Sequence, residues 1–147
     1  MLAVGTRAPS FSADSTQGEI RLEETLGKRP IVLIFYPKDH TPICTKQLCA
    51  VRDSKEQYAK YDALVLGINS GFLEEHRQFA NKFMYDFPLV ADKGANIQKL
   101  YDVGHTLFAL LGQQRTVYVI GRNGTIVYAM KGNRPTAEIL KALEEHG

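Results

Sequence analysis

The only two cysteines of this sequence, Cys44 and Cys49, are the residues best suited to redox chemistry. Cys44 stands between the apolar run Ile31–Tyr36, which predicts a buried strand, and the helical spacing of apolar residues in Lys46–Tyr61. Unpaired N–H groups and the positive end of the helix dipole lower the pKa of a thiol at a helix N-terminus from about 8.5 into a range of roughly 3.5 to 7.5. We therefore expect Cys44 to be a reactive thiolate at neutral pH.

The positions of Thr41 and Cys49 relative to Cys44 allow two further predictions. Thr41 lies three residues before Cys44, so its hydroxyl can face the same small space as the sulfur and bond to an oxygen held there. If both cysteines lie on one α-helix, their Cα atoms are roughly 8 to 9 Å apart, whereas a disulfide needs less than about 7 Å. A Cys44–Cys49 bond would then require the first helical turn to unwind, which favours a cycling disulfide over a permanent one.

The elements that must position these residues follow from the apolar periodicity. A helix between the strands Ile31–Tyr36 and Ala63–Asn69 makes a βαβ unit, which implies parallel pairing. The dipeptide Asn123-Gly124 predicts a hairpin between antiparallel strands over Thr116–Ile120 and Thr125–Met130. The remaining predictions are an irregular segment to about Leu26, a helix over Phe72–Met84 with Phe72, Phe79, Ala80 and Phe83 on one face, a short strand near Pro88–Ala91, a short helix through Ile97, Leu100 and Tyr101, and a helix over Ala137–Glu145.

Length and composition set bounds on the fold and on its partners. The 147 residues are 44% apolar, and the elements above predict a single domain over residues 1–147, with an α/β, thioredoxin-like fold whose mixed central sheet carries helices on both faces. The net charge of +2 comes from 18 basic and 16 acidic residues spread along the chain, which argues against nucleic-acid binding. No apolar stretch reaches the roughly 20 residues of a membrane helix, so we expect a soluble, cytoplasmic protein.

The residues around Cys44 resemble those of a known family. Pro37, Thr41 and Cys44 form P-x-x-x-T-x-x-C, which is similar to the active-site signature of the peroxiredoxins. The C-x-x-x-x-C spacing up to Cys49 resembles the peroxiredoxin Q / bacterioferritin comigratory protein subgroup. Further similarities lie at Gly5, Ala8, Pro9 and Phe11, along Ala63–Asn69, in DFPLVAD from Asp86, in RTVYVIGRNGTIV from Arg115, and in LFALLG over Leu107–Gly112.

This resemblance implies a thiol peroxidase that reduces hydrogen peroxide and organic hydroperoxides in antioxidant defence. Cys44 would attack the terminal peroxide oxygen to give a sulfenic acid, and Cys49 would condense with it to a disulfide. Arg115 and Thr41, with backbone N–H groups, would hold the peroxide oxygens. The implied reductant is thioredoxin or a similar dithiol. No cofactor is expected, and the chain is expected to be a monomer, with a weak dimer possible.

The implied substrate pocket contains Pro37, Phe35, Tyr36 and Ile43, of which Phe35 and Tyr36 are also expected in the core. The chain departs from the family pattern at three positions: Ile43 replaces a glycine, Asn69 a serine or threonine, and Gly121 an aspartate. None of these changes removes a group that the chemistry needs. Ile43 is expected to narrow the pocket.

Other interpretations of the same residues stay open. The cysteines could be inert packing thiols, as most are, and Thr41 could serve only as a helix N-cap. Disulfide reductases of the same fold carry C-x-x-C, and the copper-handling Sco proteins carry C-x-x-x-C, so both spacings differ from the one here. His40 with the two cysteines is not a common zinc spacing. The segment Leu107–Gly112 could be a docking patch, a loop over the active site, or core.

Overall fold

This computed structural model describes residues 1–104 and 113–147, and for Cys44 it describes the backbone only. Seven β-strands form one mixed sheet in this part of the chain. The strands lie side by side in the order β2-β1-β5-β4-β3-β6-β7. Their bounds are β1 Ser12–Ser15, β2 Gly18–Arg21, β3 Ile31–Phe35, β4 Leu64–Asn69, β5 Leu89–Ala91, β6 Thr116–Ile120 and β7 Ile126–Lys131.

Strand β3 lies near the middle of the sheet and pairs in both directions. It runs parallel to β4 and antiparallel to β6, with Phe35 opposite Ile68 on one side and Thr116 on the other. β4 is also parallel to β5, whereas β6 and β7 form the predicted antiparallel hairpin. Its turn places Gly124 in the left-handed region at φ 84°, which glycine adopts without steric cost. The predicted mixed sheet is therefore confirmed.

Five α-helices are described, and four of them contribute to one hydrophobic cluster. Their bounds are α1 Pro42–Asp53, α2 Lys55–Lys60, α3 Leu73–Phe83, α4 Asn96–Leu100 and α5 Thr136–His146. The first cluster joins one face of the sheet to α1, α2, α3 and α5 through side chains such as Leu48, Tyr58, Phe79 and Ile139. The second cluster covers the other face and includes Leu22, Ile97 from α4 and Tyr101. Helices thus lie on both faces, as predicted.

The alternation of side chains along β3 separates these two clusters. Val32, Ile34 and Tyr36 belong to the first cluster, and Leu33 and Phe35 belong to the second. Since every residue of β3 is buried, the strand carries a continuous apolar run instead of an alternating one, as is typical of a central parallel strand. The sequence prediction of this strand is confirmed to within one residue.

Two predictions about local structure were wrong. The N-terminal segment is not irregular, because β1 and β2 form an antiparallel hairpin and a 3-10 turn follows at Leu22–Glu24. Both strands are short and largely exposed, so their polar sequences lack the apolar alternation that marks a strand. The helix predicted over Lys46–Tyr61 is divided at Ser54, whose N–H is shared between the carbonyls of Ala50 and Val51 at 3.1 Å each.

The buried face of α3 also differs from the prediction. Phe72 is 81% exposed, because it precedes the helix as an extended N-cap residue instead of forming its first turn. The buried residues of α3 are His76, Phe79 and Ala80, so His76 lies on the face where the sequence predicted Phe72. A histidine therefore lies in the interior between α3 and the sheet.

Candidate active site

The start of α1 places Cys44 as the sequence predicts. Thr41 is the N-cap residue with extended backbone angles (φ −82°, ψ 147°), and Pro42 is the first helical residue. Proline suits this position because it lacks the N–H that would have no partner there. Cys44 is therefore the third residue of α1, within the turn whose N–H groups have no intrahelical acceptor and stabilise an anion.

The Thr41 hydroxyl does not cap the helix. It donates to the Lys38 carbonyl at 3.0 Å, which closes the loop between β3 and α1. With its proton engaged there, the oxygen still has lone pairs that can accept a hydrogen bond. The Thr45 N–H donates to the Thr41 carbonyl at 2.9 Å and begins the helical hydrogen-bond ladder. Thr41 is thus ordered on both its side chain and its backbone, one helical turn before Cys44.

Arg115 lies at the edge of the sheet where β3 turns toward α1. Because Phe35 pairs with Thr116, the antiparallel register puts Arg115 opposite Tyr36. The side chain is half-buried, and its Nε atom is buried. The Gly132 N–H donates to the Arg115 carbonyl at 2.8 Å and holds the backbone at this edge. The topology therefore brings the predicted arginine to the same end of β3 as Pro37.

The four predicted pocket residues have different surroundings. Tyr36 is fully buried in the first cluster on the α1 side of the sheet, and Pro37 is half-buried. Ile43 is 53% exposed, so its side chain lies toward solvent at the start of α1. Phe35 is fully buried on the opposite side of the sheet, against Tyr101 at 5.9 Å between ring centroids. Phe35 is therefore a core residue, and we do not assign it to the pocket.

Side-chain amides tie together the ends of the two central strands. The Asn69 amide donates to the Tyr36 carbonyl at 2.9 Å, while its oxygen accepts the Gly71 N–H at 2.6 Å. The Gln113 amide donates to the carbonyls of Tyr36 at 3.0 Å and Ile68 at 2.6 Å. Asn69, one of the departures from the family pattern, thus fixes the end of β4 against the end of β3.

Cys49 also lies on α1 and faces an aromatic side chain. It is half-buried against the first cluster, and its Sγ lies 3.3 Å from the hydroxyl oxygen of Tyr85. That hydroxyl donates to the Thr45 carbonyl at 3.1 Å. Burial, and after it the neighbouring Cys49, raises the pKa of Tyr85, so the phenol stays protonated. Cys44 and Cys49 both belong to the continuous helix α1. In this arrangement the first part of the helix must unwind before a disulfide can form.

A buried acid and base anchor the loop before α1, and our sequence analysis missed them. Asp39 Oδ2 and His76 Nδ1 lie 2.5 Å apart, and the Tyr36 hydroxyl donates to Asp39 Oδ1 at 2.7 Å. Burial lowers the pKa of His76, but its hydrogen bond to Asp39 and the Asp39 charge raise it by more, so the net pKa lies above the usual value. The position of His76 three residues before Phe79 on the buried face was the signal available in the sequence.

The same loop contains His40, which the sequence raised as a possible metal ligand. His40 adopts a left-handed backbone conformation at φ 64°, which is uncommon for a residue with a Cβ. Its ring packs on Phe79 at 4.8 Å between centroids. The preceding residue, Asp39, is the one that contacts His76. The other open segment, Leu107–Gly112, lies outside the described residues.

The mixed sheet, Cys44 in the first turn of α1 and Arg115 at the same end of β3 as Pro37 define a thioredoxin-fold protein with a thiol at a helix N-terminus. The sequence model of the AhpC/TSA family matches residues 4–129, and the chain belongs to that family. The chain is 38% identical over 124 residues to the chloroplastic peroxiredoxin Q of Oryza sativa subsp. japonica, an alignment that covers 84% of this chain. The predicted peroxiredoxin resemblance is therefore confirmed.

Solved structures agree with this assignment. The crystal structure of peroxidoxin BcpB from Mycobacterium tuberculosis matches with a TM-score of 0.88 and 26% identity, covering 98% of this chain and 97% of that one. A structure of the Xanthomonas campestris bacterioferritin comigratory protein, which has alkyl peroxide reduction activity, matches with a TM-score of 0.81 and 25% identity over 91% and 90% of the two chains. The predicted thioredoxin-like fold is thus confirmed.

The alignment with the rice peroxiredoxin Q spans 57% of that protein's length. Within residues 1–104 and 113–147, no helix is long and apolar enough to cross a membrane.

Proposed function

We propose that this protein is a thiol peroxidase whose peroxidatic residue is Cys44. The observation that carries the proposal is the position of Cys44 as the third residue of α1, behind an ordered Thr41 and a proline-started first turn. The thiolate attacks the terminal oxygen of a peroxide, the O–O bond breaks, and water or an alcohol leaves after taking up a proton. Cys44 is oxidised to a sulfenic acid, and the peroxide is reduced.

The second half of the proposed cycle uses Cys49. Its thiol condenses with the Cys44 sulfenic acid, so that the S–S bond forms and water leaves. An external dithiol then reduces the disulfide, and we propose thioredoxin or a protein of similar chemistry for this role. The substrates would be hydrogen peroxide and organic hydroperoxides, a choice supported by the alkyl peroxide reduction activity of the Xanthomonas relative. We further propose that the protein acts as a monomer, since both thiols lie in one chain. We also propose that it acts in the cytoplasm, where thiols are kept reduced.

Intact mass spectrometry with thiol alkylation tests this function. Reduced protein is mixed with one equivalent of hydrogen peroxide for a few seconds, quenched with acid and alkylated. Loss of both alkylatable thiols without added oxygen mass is expected, because an intramolecular disulfide keeps the mass of the chain minus two hydrogens. Two thiols that remain alkylatable would contradict the peroxidase function. Size-exclusion chromatography with light scattering and cell fractionation test the oligomeric state and the location.

Replacing Cys49 with serine is expected to separate the two halves of the cycle. The first reaction with peroxide should stay within about twofold of the wild-type rate, whereas turnover with a dithiol reductant should fall more than about tenfold. Without a resolving thiol the sulfenic acid persists, and a second peroxide converts it to sulfinic acid. Single-turnover kinetics and the mass gain after excess peroxide measure these effects. If the Cys49→Ser variant resisted excess peroxide as well as the wild type does, Cys49 would not be the resolving residue.

Replacing Arg115 with methionine is expected to slow the first reaction without unfolding the protein. A fixed positive group beside the developing charge is worth about 10²- to 10³-fold in rate, and methionine keeps much of the apolar stem. Arg122→Met is the matched control, because Arg122 lies in the β6–β7 turn and donates to the Tyr61 carbonyl at 3.1 Å. Stopped-flow measurement of peroxide reduction compares the two variants. If Arg115→Met and Arg122→Met reduced peroxide at equal rates, Arg115 would have no role in the first reaction.

A further inference from the structure

One hydroxyl group connects Cys49 to the helical turn that must open when the disulfide forms. The Tyr85 oxygen lies 3.3 Å from Cys49 Sγ and donates its only proton to the Thr45 carbonyl at 3.1 Å. Since that proton is used, the Cys49 thiol donates its own proton to the Tyr85 oxygen. We call these two bonds, from Cys49 through Tyr85 to Thr45, the Tyr85 bridge.

The Tyr85 ring is held firmly enough to act on α1. It is 7% exposed and packs against Phe79 at 5.2 Å, Phe83 at 5.8 Å and Phe87 at 5.2 Å between ring centroids. Its backbone N–H donates to the Ala80 carbonyl at 2.9 Å, directly after the end of α3. The hydroxyl is therefore presented to α1 by a rigid support, not by a mobile surface side chain.

A second contact shows which part of α1 this support holds. Arg52 Nη1 donates to the Phe83 carbonyl at 2.7 Å, so the end of α1 beyond Cys49 is tied to the same segment as the Tyr85 ring. In an α-helix the carbonyl of residue 45 also accepts the N–H of residue 49. The Tyr85 bridge thus lies across the one turn, Thr45 to Cys49, that separates the two sulfur-bearing residues.

Formation of the disulfide must break the Tyr85 bridge. The two Cα atoms of a helical Cys-x-x-x-x-Cys pair are roughly 8 to 9 Å apart, beyond the reach of an S–S bond, so the turn opens first. When the turn opens, the Thr45 carbonyl loses its hydrogen bond from the Tyr85 hydroxyl. The Cys49 thiol moves away from the Tyr85 oxygen, which accepted its hydrogen bond. The Cys49 thiol then attacks the sulfenic sulfur of Cys44, the S–S bond forms, the S–O bond breaks, and the thiol proton leaves with the oxygen as water.

We propose that Tyr85 is a positioning residue that slows this resolution step and thereby sets how long the Cys44 sulfenic acid persists. The inference rests on the proposed function. It adds a determinant of sensitivity to excess peroxide, because a longer-lived sulfenic acid meets a second peroxide molecule more often. The hydroxyl, and not the aromatic ring, carries the effect, so removing one oxygen atom is a sufficient test.

The Tyr85→Phe variant keeps the ring and deletes the bridge. Resolution of the sulfenic acid is expected to become about three- to tenfold faster, in line with the loss of a buried hydrogen bond. Rapid acid quench after one equivalent of hydrogen peroxide, followed by alkylation and intact mass, gives the rates of peroxide consumption and of disulfide formation separately. The first rate should not change, and less sulfinic acid should form in excess peroxide.

Hydrogen exchange of the reduced protein is an independent readout that needs no turnover. Without the bridge, the amide of Cys49 should exchange about three- to tenfold faster, because the turn opens more often. Tyr118→Phe is the matched control. Its hydroxyl is also buried and donates to a carbonyl, that of Tyr101 at 2.6 Å, but it lies in the second cluster on the other side of the sheet. This control should match the wild type in both measurements.

The outcomes separate this inference from the function beneath it. A wild-type protein whose two thiols both stay alkylatable after peroxide would overturn both the proposed function and the role of Tyr85. A wild-type protein that forms the Cys44 sulfenic acid but no Cys44–Cys49 disulfide would overturn the resolving role of Cys49 and the role of Tyr85, and would leave Cys44 as the peroxidatic residue. A normal wild type with an unchanged or slower resolution rate in Tyr85→Phe would overturn the role of Tyr85 alone. An equal acceleration in Tyr118→Phe would also overturn it, since the effect would then come from general destabilisation.

Discussion

The Cys44→Ser variant is expected to lose peroxide turnover by more than about 10³-fold while it stays folded. The covalent step needs a sulfur nucleophile, and a serine hydroxyl is not deprotonated at a helix N-terminus at neutral pH. Serine fits in place of cysteine and suits the first turn of a helix, so the free energy of unfolding should change little. Peroxide consumption with a dithiol reductant, measured beside urea unfolding, checks both parts.

Cys49→Ser is the matched control for this experiment, because it makes the same atomic change five residues later on the same helix. It should still consume one equivalent of peroxide, whereas Cys44→Ser should consume none. The opposite result, with peroxide consumed by Cys44→Ser and not by Cys49→Ser, would exchange the two roles. It would place the reactive thiol in the second turn of α1, beside Tyr85, and the helix N-terminus would lose its assigned function.

The parts of the site that the sequence predicts are those fixed by local chemistry. The apolar, β-branched run Ile31–Tyr36 favours a strand, and the helical spacing of apolar residues in Lys46–Tyr61 favours a helix after it. The position of Cys44 in α1 follows from these two facts. Arg115 is the exception, since its place opposite Tyr36 depends on the register between β3 and β6 and was predicted through resemblance to a family.

The parts that the sequence does not predict depend on residues far apart in the chain. Asp39 and His76 are 37 positions apart, and Cys49 and Tyr85 are 36 positions apart. Neither pair has a local pattern, because each contact exists only once α3 packs against the sheet. Phe72 illustrates the same limit, since helical spacing alone put it on the buried face and the helix begins one residue later.

The Asp39–His76 pair is expected to make the stability of the protein depend on pH and on both partners. The pair is almost fully buried, with His76 at 0% and Asp39 at 6% exposure. Removing one partner of a buried ion pair typically costs about 3 to 5 kcal/mol, because the other charge stays buried without compensation. His76→Leu should lose an amount of this order at pH 6, as measured by urea unfolding.

The pH dependence follows from the direction of the pKa shift. Burial lowers the pKa of His76, but the hydrogen bonds to Asp39 and to the Asn69 carbonyl, together with the Asp39 charge, raise the pKa by more than burial lowers it. The folded-state pKa therefore lies above the unfolded value of about 6.5. The stabilisation is fully present below that unfolded value and is lost as the pH rises through the folded-state pKa. The difference in stability between wild type and His76→Leu should therefore shrink above pH 6.5.

Two further variants distinguish a buried charge from a simple loss of packing. Asp39→Asn added to His76→Leu removes the uncompensated carboxylate, so the double variant should recover part of the stability that the single variant loses. His146→Leu makes the same substitution in an exposed histidine 3.7 Å from Glu145 and should leave unfolding essentially unchanged.

If His76→Leu alone kept wild-type stability at pH 6, the contact between Asp39 and His76 would contribute little to the free energy of unfolding. The loop that contains His40 and Thr41 would then depend more on its other contacts, which include the hydrogen bonds from Tyr36 to Asp39 and from Thr41 to Lys38.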